Sequence, residues 1–234
     1  MALSPSPSTS SSSSDLLVVL PHQSHSISNS ILHLYFSHPW QTLPHPLSID
    51  LVLDASPGCG GVAWPAGQIL ATYLIQKGTD FVSGRNTIEL GSGTGLVGLL
   101  AGILGGNVWI TDQSPLLPIM RRNVSMNNLC NTVKVAELRW GSPIPPEIPR
   151  PDLILAADCV YFEPTFPLLV QTLTDLADAT TEILFCYKKR RKADKRFFAL
   201  LKKTFTWEEV QDDSNRSVYN REAITLLRLS KKLA

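Results

Sequence analysis

Asp158 and Tyr161 stand three positions apart in "LILAADCVYFEP" (Leu153 to Pro164), directly after an apolar run from Leu153 to Ala157. A carboxylate at the tip of a buried strand can attract a cation, and a phenol beside it can hydrogen-bond or offer its ring face. The two face one way only if the chain turns straight after the strand; on a continuing strand they would lie on opposite sides. Such a pair suits capture of a substrate ammonium. It suits base catalysis poorly, because a carboxylate raises the pKa of a neighbouring amine above its ordinary value of about 10.4. The role expected of Asp158 is to hold the amine or order the loop, with the proton lost to water. Plainer readings are a helix N-cap ahead of Pro164 for Asp158 and a packed aromatic for Tyr161.

A second cluster lies upstream in "IELGSGTGLVGLLAG", after a short strand (Thr87 to Leu90) and at the opening of a helix. Gly91, Gly93 and Gly95 allow tight turns and a close approach of backbone N–H groups to a ligand. Gly93, Gly95 and Gly98 match the dinucleotide fingerprint, and Asp112 follows nineteen residues after Gly93, where a ribose-binding acid is expected. A nicotinamide enzyme is one reading. The stretch is better described as E-x-G-x-G-x-G, with Glu89 inside the strand, the pattern of proteins that wrap the amino-acid end of S-adenosylmethionine. A helix-capping or salt-bridging Glu89 is the plainer alternative. Trp140 in "ELRWG" can border an adenine ring. Trp64, at the start of an early helix, reads by pattern alone as a packing residue.

These residues need a scaffold, and the alternation of segments supplies one. "AWPAGQILATYLIQKG" predicts a helix with Pro65 in its first turn and an apolar face at Ile69, Leu70, Tyr73 and Leu74. Strands and helices then alternate through "NTIEL", "LVGLLAGIL", "NVWIT", "PLLPIMRRNVSMNNL", "TVKVAEL", "PDLILAA", "TFPLLVQTLTDLA", "TEILFCY" and "KRFFALLKKT". That rhythm means an α/β domain whose mostly parallel sheet is covered on both faces. "FTWEEVQ" and "SVYNREAITLLRLS" are expected to close it as an antiparallel hairpin at one edge. Before it, "LLVVL", "SILHLYF" and "LSIDLVL" predict a small N-terminal β extension over residues 15–61. The main α/β domain, expected to hold the cofactor, would then occupy residues 62–234, and the Ser/Pro-rich tail at residues 1–14 should be disordered.

Composition narrows the class. With 234 residues, 44% hydrophobic and 18% charged, the chain has globular values. The uncharged run from Thr94 to Thr111 is too short and too broken by glycine for a membrane span. Cys59, Cys130, Cys159 and Cys186 form no C-x-x-C pair and are expected to be reduced thiols. All five histidines (His22, His25, His33, His38, His45) lie near the start with no metal-binding spacing, so no metal site is expected. The tail lacks the arginines of a transit peptide, and a cytoplasmic location is the default, with the nucleus as the alternative. No Lys or Arg precedes Lys77, whereas Lys188 to Arg196 holds seven of the 21 basic residues. This run is either a solvated loop or a basic rim that meets an acidic partner surface.

The ordered set "WPAG" (Trp64 to Gly67), "ELGSGTGLVG" (Glu89 to Gly98), "TDQ" (Thr111 to Gln113), "LRWG" (Leu138 to Gly141) and "AADCVY" (Ala156 to Tyr161) resembles the seven-β-strand protein lysine methyltransferases with a D-x-x-Y motif. "FCYKKRRK" and "FFALLKK" resemble that family's fifth strand and following helix, and the match covers about residues 48–230. The resemblance implies a Rossmann-like sheet of strand order 3-2-1-4-5-7-6 with strand seven antiparallel. It implies an S-adenosyl-L-methionine pocket lined by Trp64, Glu89, Gly91, Ser92, Gly93, Asp112, Trp140 and Ala157, with Asp112 on the ribose hydroxyls and Asp158 and Tyr161 at the reacting lysine. "CGGVAWPAGQILATYL" is most similar to the fungal-type enzymes that methylate translation elongation factor 1-alpha.

The function expected is protein-lysine N-methylation by a monomeric enzyme, with elongation factor 1-alpha as the substrate protein. Alternatives are another substrate protein (a chaperone or AAA ATPase), a nucleic acid or small molecule, or a regulatory protein that binds the cofactor without catalysis. A nucleic-acid substrate is disfavoured because D-C-V-Y lacks the paired prolines that shape a base-stacking slot.

Overall fold

The computed structural model describes residues 27–38, 46–190 and 194–233. The 1–14 tail, the LLVVL stretch, His22, His25, His45, and Arg191 and Lys192 of the basic run lie outside the described residues.

β1 (Ser30–Phe36) and β2 (Leu47–Leu53) pair antiparallel as a two-stranded sheet. Their alternation buries Leu32, Leu34 and Phe36 while Ile31 and Tyr35 face outward. Then follow α1 (Pro65–Lys77), α2 (Thr79–Val82), β3 (Asn86–Leu90), α3 (Leu96–Ile103), β4 (Asn107–Asp112), α4 (Leu117–Met126) and β5 (Val133–Glu137). The chain continues through β6 (Leu153–Ala157), α5 (Phe166–Leu176), β7 (Glu182–Lys188), α6 (Asp194–Leu201), β8 (Phe205–Glu209), α7 (Arg216–Arg221) and β9 (Ile224–Lys231).

Seven strands form the main sheet in the order β5-β4-β3-β6-β7-β9-β8. β3 to β7 run parallel, and β9 runs antiparallel to both of its neighbours. Counted from β3 as the first strand, this is the expected order 3-2-1-4-5-7-6. The closing pair differs from expectation in one respect. "SVYNR" coils into α7, anchored by buried Tyr219, so a helix and not a short turn connects β8 to β9.

α1 starts with Pro65 at its first position and stops at Gly78, whose φ of 77° an L side chain adopts with strain. The sequence marks one apolar face, yet Ala66 to Ile75 are all buried, Gln68 and Thr72 included. The reason is tertiary: α1 packs on α3 and β7 and shares one core cluster with the hairpin residues Phe36, Leu47 and Leu51. The hairpin is fastened by side-chain amides. Asn123 of α4 accepts from Val52 N–H at 2.7 Å and donates to Val52 O, while Asn127 accepts from Asp50 N–H at 2.9 Å and donates to Asp50 O at 2.7 Å. Two asparagines one helical turn apart thus take the place of a neighbouring strand at the edge of β2. Asn123 also donates to Thr94 O at 2.9 Å, which ties α4 to the glycine-rich loop. Among the described residues no helix is long and apolar enough to cross a membrane.

Strand register brings the chemistry together. Leu90 lies level with Thr111 on β4 and with Ala156 on β6. The next residue of each strand (Gly91, Asp112, Ala157) therefore emerges in one row at the carboxyl edge. This is the point where the chain winds outward in opposite directions from β3, the usual ligand crevice of open α/β sheets.

Candidate active site

All ten residues expected at the site line one cavity of about 700 Å³ at that edge. Its volume falls within the range of about 300–1,000 Å³ typical of cofactor pockets.

The floor is the turn after β3. Gly91 and Gly93 have φ of 60° and 56°, which only glycine adopts without strain. Space excludes a side chain as well: a Cβ on Gly91 would stand 2.9 Å from the Trp140 ring, and one on Gly93 would stand 2.6 Å from Gly60 O. Ser92 uses its polar groups inward. Its N–H donates to Thr111 O at 3.0 Å, its hydroxyl donates to Glu89 O at 3.1 Å, and its Oγ accepts from Thr111 N–H at 2.9 Å. Ser92 therefore shapes the turn by clamping it to β4.

Glu89 is fully buried, and its Oε2 accepts the Gly98 N–H at 2.9 Å in the first turn of α3. The plainer expectation of a helix-capping glutamate describes this bond. Burial pushes its carboxyl up to about 8, against the hydrogen bonds from Gly98 and Ser92 that pull it down. The folded protein thus holds a proton that the unfolded chain releases above its ordinary value of 4.5. Glu89 stabilises the fold fully below pH about 4.5, and that contribution is lost toward pH about 8 at roughly 1.4 kcal/mol per pH unit. Glu89→Gln, which mimics the protonated acid, is expected to remove this slope. Urea unfolding of both proteins without cofactor reads it: a wild-type-minus-variant difference that stays flat across the interval would mean Glu89 is ionised throughout.

Asp112, at the end of β4, accepts from Gly93 N–H at 2.9 Å through Oδ2 and from Gln113 N–H at 2.7 Å through Oδ1. Burial raises its carboxyl above the usual range while these two N–H groups oppose the rise. The arrangement discriminates between the two cofactor readings. The Gly93 N–H, one of those a pyrophosphate would take, is already donated to Asp112. A cavity floored by acids, with no row of free backbone N–H groups for a pyrophosphate among the described residues, suits a hydroxyl-bearing ligand, and the residues present fit S-adenosyl-L-methionine. Trp140 borders the cavity beside Gly91, and Ala157 lies across it against Gly67.

At the opposite wall the chain turns abruptly after β6. Asp158 has φ of 59°, a left-handed conformation that needs compensation in a non-glycine residue. Its N–H donates to Cys186 O at 2.8 Å, and its carboxylate takes two hydrogen bonds from the Arg190 guanidinium at 2.7 and 2.6 Å. Lys188 N–H adds a bond at 3.2 Å. The helix-cap reading of Asp158 does not describe these bonds. Tyr161 is 42% exposed, and its hydroxyl meets the Cys59 thiol from the turn before α1. Burial pushes the Tyr161 phenol and the Cys159 thiol up, so neither ionises near neutral pH. Trp64 caps the start of α1, its indole N–H donating to Cys59 O at 2.8 Å, with the Arg190 guanidinium 5.6 Å from its ring centroid.

Two features were not legible as site elements. Cys59 and Gly60 reach the cavity through the turn at Cys59–Gly61, whose CGG composition signals a turn and nothing more. Arg190 appears in the sequence as one member of a basic run; its pairing with Asp158 spans 32 residues.

Comparisons with known proteins identify the family and the fold. A sequence model of a family described as lysine methyltransferase matches residues 45–204. The chain is 40% identical over 202 residues to protein-lysine N-methyltransferase EFM6 of Saccharomyces cerevisiae, covering 75% of this chain and 82% of that one. It is 40% identical over 172 residues to protein N-lysine methyltransferase METTL21A of Danio rerio, covering 71% and 78%. It is 37% identical over 177 residues to EEF1A lysine methyltransferase 3 of Mus musculus, covering 74% and 76%. Among solved structures, the T. Thermophilus 16S rRNA methyltransferase RsmC in complex with AdoMet and guanosine superposes with a TM-score of 0.58 at 15% identity. That match covers 86% of this chain and 51% of RsmC, so the chain spans about half of it, and the likeness is one of fold.

Proposed function

This chain belongs to the lysine methyltransferase family, and from that premise we propose that the protein it methylates is translation elongation factor 1-alpha. It is an S-adenosyl-L-methionine-dependent protein-lysine N-methyltransferase. The bound cofactor supplies a methyl group on a positively charged sulfur.

In the proposed arrangement the turn at Gly91 and Gly93 and the carboxyl of Glu89 receive the amino-acid end of the cofactor. Asp112 accepts the two ribose hydroxyls, Trp140 borders the adenine, and Trp64 and Ala157 close the sides. Asp158 and Tyr161 then face an incoming lysine across the same cavity, and that juxtaposition is the observation that carries the reading. Their work is alignment. Holding a nucleophile near-collinear with the group it attacks is worth about 7–11 kcal/mol. Tyr161 stays protonated, so its phenol directs the amine by a hydrogen bond or by its ring face, and the amine loses its proton to water.

Elongation factor 1-alpha is supported by one relative's name, EEF1A lysine methyltransferase 3, and by the sequence likeness around "CGGVAWPAGQILATYL". The basic run beside the cavity fits an acidic docking surface, with Lys189 and Lys195 exposed and Arg190 engaged by Asp158. A monomer in the cytoplasm completes the proposal. All four cysteines are free, in keeping with a reducing compartment.

The test is methyl transfer from labelled cofactor to purified elongation factor 1-alpha, with the modified residue located by peptide mass spectrometry. Labelling of a different protein from cell extract, with none on elongation factor 1-alpha, would sink the substrate assignment. Lys189→Glu/Lys195→Glu is expected to raise KM for the folded substrate about tenfold while kcat stays within twofold of wild type, because rim charges act on encounter. An unchanged KM would remove the basic rim from substrate docking.

A further inference from the structure

Asp158 does not meet the cavity as a bare carboxylate. Both of its oxygens are held by Arg190, its side chain is 6% exposed, and that of Arg190 is 28% exposed. Two parts of the chain converge on this guanidinium, and a third holds the Arg190 backbone. Asp158 comes from the turn after β6, and Trp64 from the start of α1 lies under the cation. Arg190 itself is fixed from the far side, where its backbone N–H donates to Asp194 Oδ2 at 2.9 Å at the start of α6. A bidentate, charge-assisted pair of this kind is strong and geometrically defined. Arg190 also lines the cavity.

We propose that Arg190 controls the protonation state of the substrate lysine, by neutralising Asp158 so that the carboxylate accepts a hydrogen bond from the amine without holding it as an ammonium. The inference rests on the reading of Asp158 and Tyr161 as the lysine-receiving pair. A lone carboxylate within about 4–6 Å favours the charged form of an amine by about 1–3 pKa units. The neutral, nucleophilic fraction falls about tenfold for each unit. With the guanidinium in place the local net charge is near zero, and that penalty is removed. The carboxylate keeps lone-pair capacity beyond the three bonds it already accepts, so it still positions the amine.

Other ionisable groups around the pair are Cys159 and Tyr161 on the same loop, Cys59 before α1, Glu89 and Asp112 at the ends of β3 and β4, Cys186 on β7, Asp194 on α6, and Asp213 after β8. These are common to every variant compared below, so a shift between variants reports Arg190.

The experiment is kcat against pH, from about pH 6 to about pH 10, at saturating S-adenosyl-L-methionine with elongation factor 1-alpha as the probe substrate. The full-length wild type, Arg190→Gln and Arg190→Lys are compared, each checked for thermal unfolding and cofactor binding. The acid limb of kcat reports groups in the bound complex. In Arg190→Gln this limb is expected to move up by about one unit or more. The variant should lose about tenfold in kcat at neutral pH and approach wild type in alkali. Arg190→Lys, which keeps the charge, is expected to retain the wild-type limb. A limb in Arg190→Gln that coincides with wild type would overturn the proposal, and a uniform fall at all pH values would show that Arg190 only holds Asp158 in place. Should the glutamine variant fail to fold, Arg190→Lys decides alone: an acid limb displaced despite the retained charge overturns the idea. Methyl-lysine formed by wild type separates the two levels of inference. Its absence from elongation factor 1-alpha at every pH would remove that substrate assignment, and the same series is then read on the protein that wild type labels in cell extract; wild-type turnover with an unmoved limb removes the proposal alone.

Discussion

Asp158→Asn is expected to lower kcat for lysine methylation by about a hundredfold or more while leaving the Kd for S-adenosyl-L-methionine within about threefold. Loss of a single positioned polar group at a reacting centre commonly costs about 10²–10³ in rate. Asparagine is the informative replacement because the backbone at this position is left-handed, with φ of 59°, and Asn tolerates that region better than most residues. The amide keeps the shape of the side chain and removes its charge. Arg190 then loses a partner that holds it at 2.7 and 2.6 Å, and the cavity wall changes from near-neutral to positive. An incoming ammonium would be repelled, and the amine would be left with one neutral amide oxygen as acceptor in place of a carboxylate, the weaker hydrogen-bond partner. Calorimetric binding of the cofactor, alongside methyl-lysine yield, separates this from general collapse of the pocket. A variant that retains kcat within about fivefold of wild type would exclude Asp158 from lysine capture.

Asp112→Ala is expected to have the opposite signature: cofactor affinity falls by about two to four orders of magnitude, and kcat at saturating cofactor changes far less. Hydrogen bonds to a charged acceptor are worth about 1.5–3 kcal/mol each, and two ribose hydroxyls would lose theirs together. Part of the loss comes from the protein itself. Asp112 also receives the N–H groups of Gly93 and Gln113, so its removal loosens the glycine turn at the point where the cofactor would sit. Asp112→Asn, which keeps an acceptor oxygen at the same place, should be intermediate. Isothermal titration with S-adenosyl-L-methionine decides the matter, and a Kd within about fivefold of wild type in the alanine variant would show that the ribose lies elsewhere.

The two variants probe different kinds of information in the chain. Asp112 could be read from spacing, because the βαβ unit that carries it is local: a strand, a turn needing glycine, a helix, and the next strand's end. Glu89 and the three glycines belong to the same unit and were equally legible. The place of Trp64 at the cavity was not, since its own surroundings read as packing and only resemblance to a family pointed to the site. In the structure it lies at the cavity mouth beneath Arg190. The closing segment shows the complementary failure. "SVYNR" is polar enough for a turn, and burial of Tyr219 against the sheet decided for a helix. Likewise α1 shows one apolar stripe in the sequence but is buried along ten consecutive residues, because the hairpin and α3 cover what would otherwise be its wet side.

What the sequence determined by itself was the strands of the main domain and its longer helices, though not the short α2 and α7, their alternation, and the local chemistry of each strand end. These follow from hydrophobic period and glycine geometry, which act over a few residues. Only the tertiary structure decided the row formed by Gly91, Asp112 and Ala157, because strand register depends on pairings between segments far apart in the chain. It alone decided the state of Asp158. That carboxylate is legible as an acid at a strand tip, but whether it is bare or neutralised depends on a guanidinium 32 residues away, brought alongside by the pairing of β6 with β7.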